Sequence, residues 1–177
     1  MQRVLFVGDS HLDAVRGDRL AAFEAAADCA VTNLAVGGSG VYDVPTQLTG
    51  TPRGTDVTVL SLGTNDCAPW KQIAFDDFQD ELTKLVATLP GRLVYLAPPG
   101  VDDAKLGADD PSSERVDRYT DAARAIVEKH GGTTLETQQV LAKLGDDAFV
   151  EDGVHLTDAA YELLLAALAR TVTPAGS

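Results

Sequence analysis

Short apolar or β-branched runs at residues 3–7, 29–35, 57–62, 93–97 and, more weakly, 133–136 alternate with helical patterns at 13–27, 75–89, 112–129 and 157–169. Runs of that length, ended by Gly, Pro or polar residues, are strands. A strand-helix alternation kept up along the whole chain calls for an α/β fold: a parallel sheet with helices on both faces and right-handed crossovers. Within 75–89, Phe75, Phe78, Leu82, Leu85, Val86 and Leu89 recur at spacings of three and four, which predicts a helix packing one side on the sheet. In the last helix Thr157 is placed to cap the N-terminus, and Tyr161, Leu164, Leu165 and Leu168 make the buried stripe.

With 177 residues, the chain is long enough for one domain that buries roughly two-thirds of its unfolded surface. Residues 1–170 are read as that domain and 171–177 as a flexible tail. The four-residue apolar run after Arg3 stops at Gly8-Asp9, too short for a signal core or a membrane span, so the expected compartment is cytoplasmic. Cys29 and Cys67 match no metal spacing and are expected as free thiols. A net charge of -13 opposes contact with nucleic acid or anionic lipid, and disfavours polyanionic substrates such as coenzyme A thioesters.

Ligands of such sheets bind at the carboxyl ends of the strands. Four segments rich in turn residues fall at or near those ends: Gly8-Asp9-Ser10-His11, Gly37-Gly38-Ser39-Gly40, Gly63-Thr64-Asn65-Asp66 and Asp152-Gly153-Val154-His155. A serine hydroxyl becomes a nucleophile only beside a base, usually a histidine held in one tautomer by a carboxylate. Ser10, His155 and Asp152 fit those three roles. A carbonyl turning tetrahedral needs aimed hydrogen-bond donors, and the Ser10 N–H, the Gly38 N–H and the Asn65 side-chain amide are suited to supply them.

Each segment alone has a plainer reading. Gly8-Asp9-Ser10 could be a turn and helix cap, Asn65-Asp66 an Asx turn, and Asp152 with His155 a cap and a surface histidine. Asp66 is read as structural, holding its loop through backbone hydrogen bonds. Gly37-Gly38-Ser39-Gly40 could be an anion nest, but it lacks both the phosphate-loop ending and the G-x-G-x-x-G spacing. His130, ahead of Gly131-Gly132, reads as a cation at a helix C-terminus. Trp70 either lines an acyl pocket or covers the core.

Together the segments resemble the SGNH hydrolases, also named GDSL lipases and esterases. All four family blocks occur, the resemblance spans residues 8–157, and it includes the longer stretches Asn33-Leu34-Ala35-Val36-Gly37-Gly38 and Asp152-Gly153-Val154-His155-Leu156-Thr157. It implies a flavodoxin-like three-layer α/β/α sandwich with a central five-stranded parallel sheet in the order 2-1-3-4-5. It also implies nucleophile Ser10, base His155 with partner Asp152, an oxyanion hole from Ser10, Gly38 and Asn65, and no metal or organic cofactor. The expected activity is a serine esterase acting on small or medium acyl esters through an acyl-Ser10 intermediate. The alternatives are an acyltransferase or thioesterase at the same site, or a non-catalytic binding module of the same fold.

One position departs from the family name: His11 stands where GDSL has leucine. Adjacent side chains diverge, so His11 is a poorer base for Ser10 than His155. On the same topology Cys29 begins the second strand and Cys67 follows the third, too far apart for a disulfide.

Overall fold

The computed structural model describes residues 1–173. Five strands, β1 (Gln2–Gly8), β2 (Cys29–Asn33), β3 (Val57–Ser61), β4 (Arg92–Leu96) and β5 (Thr133–Leu135), form one sheet in the order β2-β1-β3-β4-β5. Every pairing is parallel, with Val4 opposite Val31 on one side and Val57 on the other. The expected order and three-layer architecture are both present.

The pleat divides the core. Val4 and Phe6 point to one face, where they pack with Phe23, Leu141, Leu164 and Leu168 of α2 (Gly17–Ala27), α6 (Thr137–Leu141) and α7 (Asp158–Val172). Leu5 and Val7 point to the other, against Phe78, Leu82, Val116 and Val127 of α4 (Phe75–Val86) and α5 (Ser113–Lys129). Both faces are covered, so β1 can be apolar throughout rather than alternating. Phe78 and Leu82 are fully buried, each stabilising the fold by roughly 1.5–3 kcal/mol relative to exposure.

Helix ends follow local chemistry. The Thr157 hydroxyl accepts the Ala160 N–H at the start of α7. At the end of α5 the N–H groups of Gly131 and Gly132 return to the carbonyls of Glu128 and Val127, while the His130 ring bonds the Ile126 carbonyl at 2.8 Å. These bonds satisfy carbonyls that the last helical turn leaves unpaired.

The largest departure from the sequence reading lies in residues 13–27, which are not one helix. A single turn, α1 (Ser10–Asp13), is followed by a break, and α2 begins at Gly17, whose φ is +55°. Asn33, at the end of β2, donates to the Leu12 and Val15 carbonyls at 2.8 and 2.9 Å, satisfying groups that the break frees. Two further short helices, α3 (Val44–Gln47) and α6, carry no clear sequence period. In α7, Leu165 is only partly buried, and the helix runs to Val172, past the expected end at 169. The rest of the expected tail, 174–177, lies outside the described residues. Cys29 and Cys67 are both buried and free. Among the described residues no helix is long and apolar enough to cross a membrane.

Candidate active site

The chain leaves β1 through a turn that only glycine can make. Gly8 has φ +123°, and a Cβ there would sit 1.9 Å from the Ser61 carbonyl oxygen. Gln47 of α3 grips the same residue from outside, its Oε1 accepting the Gly8 N–H and its Nε2 donating to the Gly8 carbonyl. Asp9, 1% exposed, accepts the His11 N–H at 3.1 Å and the Ser61 hydroxyl at 2.8 Å. Ser10 therefore sits on a turn anchored from three directions. Since α1 is a single turn, its dipole adds little at Ser10.

After β2, the loop at 36–41 has nearly all its amides occupied. Val36 N–H donates to Gly8, Gly37 to Asp13, Ser39 to Val36, Gly40 to Asp43 and Val41 to Asp66. Among the described residues, the Gly38 N–H has no acceptor, and neither has that of Ser10. Buried amides are normally paired, so open donors beside a cleft are available to a ligand.

The loop after β3 contributes Asn65. Asp66 is fully buried, and its two oxygens accept from Val41 and Gly63 at 2.6 and 2.9 Å, locking this loop to the previous one. Burial pushes the Asp66 carboxyl up to about 6, against the pull of those N–H bonds. Asn65 Nδ2 donates one hydrogen to the Ser39 carbonyl at 2.9 Å, which leaves its second hydrogen free. The structural role expected for Asp66 is what its contacts describe.

The fourth segment closes on itself. Asp152 Oδ1 accepts the N–H groups of Val154 and His155, both at 2.9 Å, and Oδ2 lies 2.6 Å from His155 Nδ1. Desolvation works to raise the Asp152 carboxyl, but the bonds from His155 and Val154 outweigh it and hold it at about 2. An ionised partner on Nδ1 keeps the proton there and leaves Nε2 as the acceptor. The segment is tied to its surroundings by Val150 N–H to the His155 carbonyl and by Asp102 N–H to the Gly153 carbonyl.

Ser10, Gly38, Asn65, Asp152, His155 and Trp70 all line one cleft of about 260 Å³, which Thr64, Asp110, Pro111 and Val154 complete. Residues up to 145 positions apart in the chain thus share one site. Ser10 and His155 stand on its walls without a direct hydrogen bond, a separation common before substrate tightens such a site. Trp70 is 50% exposed, so it forms cleft wall and does not cover the core.

His11 is only 2% exposed. Its ring lies 3.3 Å from Asp9 Oδ1 through Nδ1 and 3.3 Å from the Val154 carbonyl through Nε2. Burial disfavours its charged form, but Asp9 and the Val154 carbonyl more than compensate, and its pKa is raised. Nε2 faces the Val154 carbonyl, and Nδ1 lies beside the Asp9 carboxylate without a hydrogen bond. Sequence reasoning did not foresee this link between the turn of Ser10 and the segment of His155, because it depends on a contact across 143 residues. Nor did it foresee Lys71, whose Nζ donates to the Gly38 carbonyl at 2.9 Å. Cys67 is buried and pushed up to about 12 by desolvation first and the Asp66 charge second, so it is a poor nucleophile.

The sequence model of the GDSL-like Lipase/Acylhydrolase family matches residues 6–163. The chain belongs to that family. This acylhydrolase is an SGNH-type ester hydrolase, and the serine nucleophile and oxyanion hole are features of its family. No curated protein sequence matches it.

Among solved structures, the hydrolase is similar to a lipase/acylhydrolase from Enterococcus faecalis at 21% identity and TM-score 0.84, covering 97% of this chain and 95% of the other. It is similar to an acetylxylan esterase from Geobacillus stearothermophilus at 20% identity and TM-score 0.77, covering 96% and 93%. A third likeness, to an alpha/beta hydrolase enzyme from the metagenome of Lake Arreo, Spain, has 19% identity and TM-score 0.76, covering 96% and 94%. At such identities these likenesses establish the shared fold.

Proposed function

We propose that this hydrolase cleaves small to medium acyl esters through a covalent acyl-Ser10 intermediate. The observation that carries the proposal is the set of unspent donors beside Ser10: the N–H groups of Ser10 and Gly38 and the second amide hydrogen of Asn65. Almost every neighbouring amide of the 36–41 loop is already bonded. Three open donors at one cleft match the needs of an oxyanion.

In the first step Ser10 Oγ attacks the carbonyl carbon while His155 Nε2 takes its proton. The carbonyl oxygen, gaining negative charge, is received by the three donors, each contributing about 3–4 kcal/mol to the barrier reduction by comparison with known sites. Asp152 stabilises the imidazolium that forms. His155 then gives the proton to the departing alcohol oxygen, the C–O bond breaks, and the acyl group remains on Ser10. Water, deprotonated by His155, repeats the sequence in reverse and releases the acid.

A cleft of about 260 Å³ with a half-exposed tryptophan suits a compact acyl group. The likeness to an acetylxylan esterase supports testing acetyl esters first. Hydrolysis of p-nitrophenyl acetate, butyrate and octanoate by the wild type and by Ser10→Ala tests the reading. The expected result is turnover favouring the shorter esters and its loss in the variant. Equal rates in the two proteins would remove Ser10 from the mechanism.

A further inference from the structure

We infer that Lys71 and Asp43 are positioning residues that hold the Gly38 amide aimed into the cleft. Gly38 has φ +77°, and nothing lies within 4 Å of where its Cβ would be. Side-chain packing therefore does not hold this residue. Glycine reaches positive and negative φ with similar ease, so an untethered Gly38 would swing its N–H away from the cleft for part of the time.

The tether is a closed ring of polar bonds. Lys71 Nζ donates to the Gly38 carbonyl at 2.9 Å and to Asp43 Oδ2 at 2.6 Å. The same Asp43 oxygen accepts the Gly40 N–H at 2.8 Å. One ammonium and one carboxylate thus clasp both ends of the Gly38–Gly40 segment. The Lys71 side chain is 20% exposed, and charge-assisted bonds that are partly shielded from water are the stronger kind.

The tether also joins the two donor loops. Lys71 follows Asn65 by six residues, and Asn65 itself donates to the Ser39 carbonyl. Gly38 and Asn65, which approach the oxyanion from different loops, are therefore held relative to each other by Lys71 to Gly38 and by Asn65 to Ser39. On the segment's other side, Asp13 accepts the Gly37 N–H at 3.0 Å. Without Lys71, the peptide after Gly38 has no partner on its carbonyl among the described residues.

The inference rests on the ester-hydrolase reading of the cleft only for its catalytic consequence. In Lys71→Met, which keeps the length and the apolar stem, kcat for p-nitrophenyl acetate is expected to fall about tenfold, less than the 100–1000-fold typical of losing an oxyanion donor outright. KM should stay within about twofold, since the residue acts in the transition state and not in ground-state binding. Inactivation by a fluorophosphonate should slow in parallel, because phosphonylation of Ser10 uses the same donors. Lys71→Arg should recover most of the rate, and Asp43→Asn should resemble Lys71→Met. Unchanged kcat in Lys71→Met, or a raised KM with kcat intact, would overturn the inference. The tether is also tested without turnover, by NMR amide exchange of Ser39 and Gly40, whose N–H groups are bonded to Val36 and Asp43 and should exchange faster in Lys71→Met. If the wild type reacts with neither ester nor probe, the proposed activity fails while that exchange measurement still decides the tether.

Discussion

Asp152 holds His155 twice over: one carboxylate oxygen accepts the histidine backbone N–H at 2.9 Å, and the other lies 2.6 Å from its Nδ1. Residues 152–155 thus fold back into a compact four-residue unit at the cleft wall. The unit needs no support from a distant strand to set the tautomer.

Asp152→Asn keeps an oxygen for the two backbone N–H groups but offers an amide N–H to Nδ1. That change inverts the tautomer, so Nε2 carries the proton and cannot accept one from Ser10. The expected loss in kcat/KM is about 1000–10000-fold with little change in thermal stability. In the wild type the carboxyl is held ionised down to about pH 2. Asp152 should accordingly contribute nothing to the acid limb of kcat/KM above about pH 4. An acid limb that disappears in Asp152→Asn would contradict the assignment.

Asp66 makes the opposite kind of prediction. Its folded pKa is raised from 3.8 to about 6, so the native state binds the proton more tightly than the unfolded chain. The resulting stabilisation is full below pH 3.8 and is lost as pH rises through about 6. At roughly 1.4 kcal/mol per pKa unit the loss is about 3 kcal/mol. Urea denaturation at closely spaced pH values should show this decline in the wild type, and Asp66→Asn should lack it.

Two glycines that look alike in the sequence should behave differently as alanines. Gly8→Ala drives a Cβ to 1.9 Å from the Ser61 carbonyl, which is backbone and cannot yield, so loss of the folded state is expected. Gly38→Ala meets no atom within 4 Å, and costs only the strain of a positive φ, about 1–2 kcal/mol. It should fold, with its melting temperature lowered by several degrees. Thermal melts of the two variants separate the cases.

Periodicity revealed most of the fold, because the elements that build it are amphipathic or apolar along their whole length. The Phe78, Leu82, Leu85 and Val86 stripe of α4 and the run Val4 to Val7 of β1 are buried as their spacing requires. The reading failed at 13–27, where nothing local forbids a continuous helix. The break is stabilised there by Asn33, which arrives from β2 to take the Leu12 and Val15 carbonyls. Short helices such as α3 span about one turn, too few residues for a period to register.

The sequence by itself determined which groups are present and roughly where along the sheet they emerge: Ser10 after β1, Gly38 after β2, Asn65 after β3, Asp152 and His155 before α7. Those positions follow from local patterns, and local patterns are written in consecutive residues. Only the tertiary structure decided that Gly38 keeps its N–H free while its neighbours lose theirs, that His11 turns inward to Asp9 and Val154, and that Trp70 stands at the cleft wall. Each of those outcomes depends on a partner brought from elsewhere in the chain, and a hydrogen bond of about 3 Å exists only once folding has set the distance.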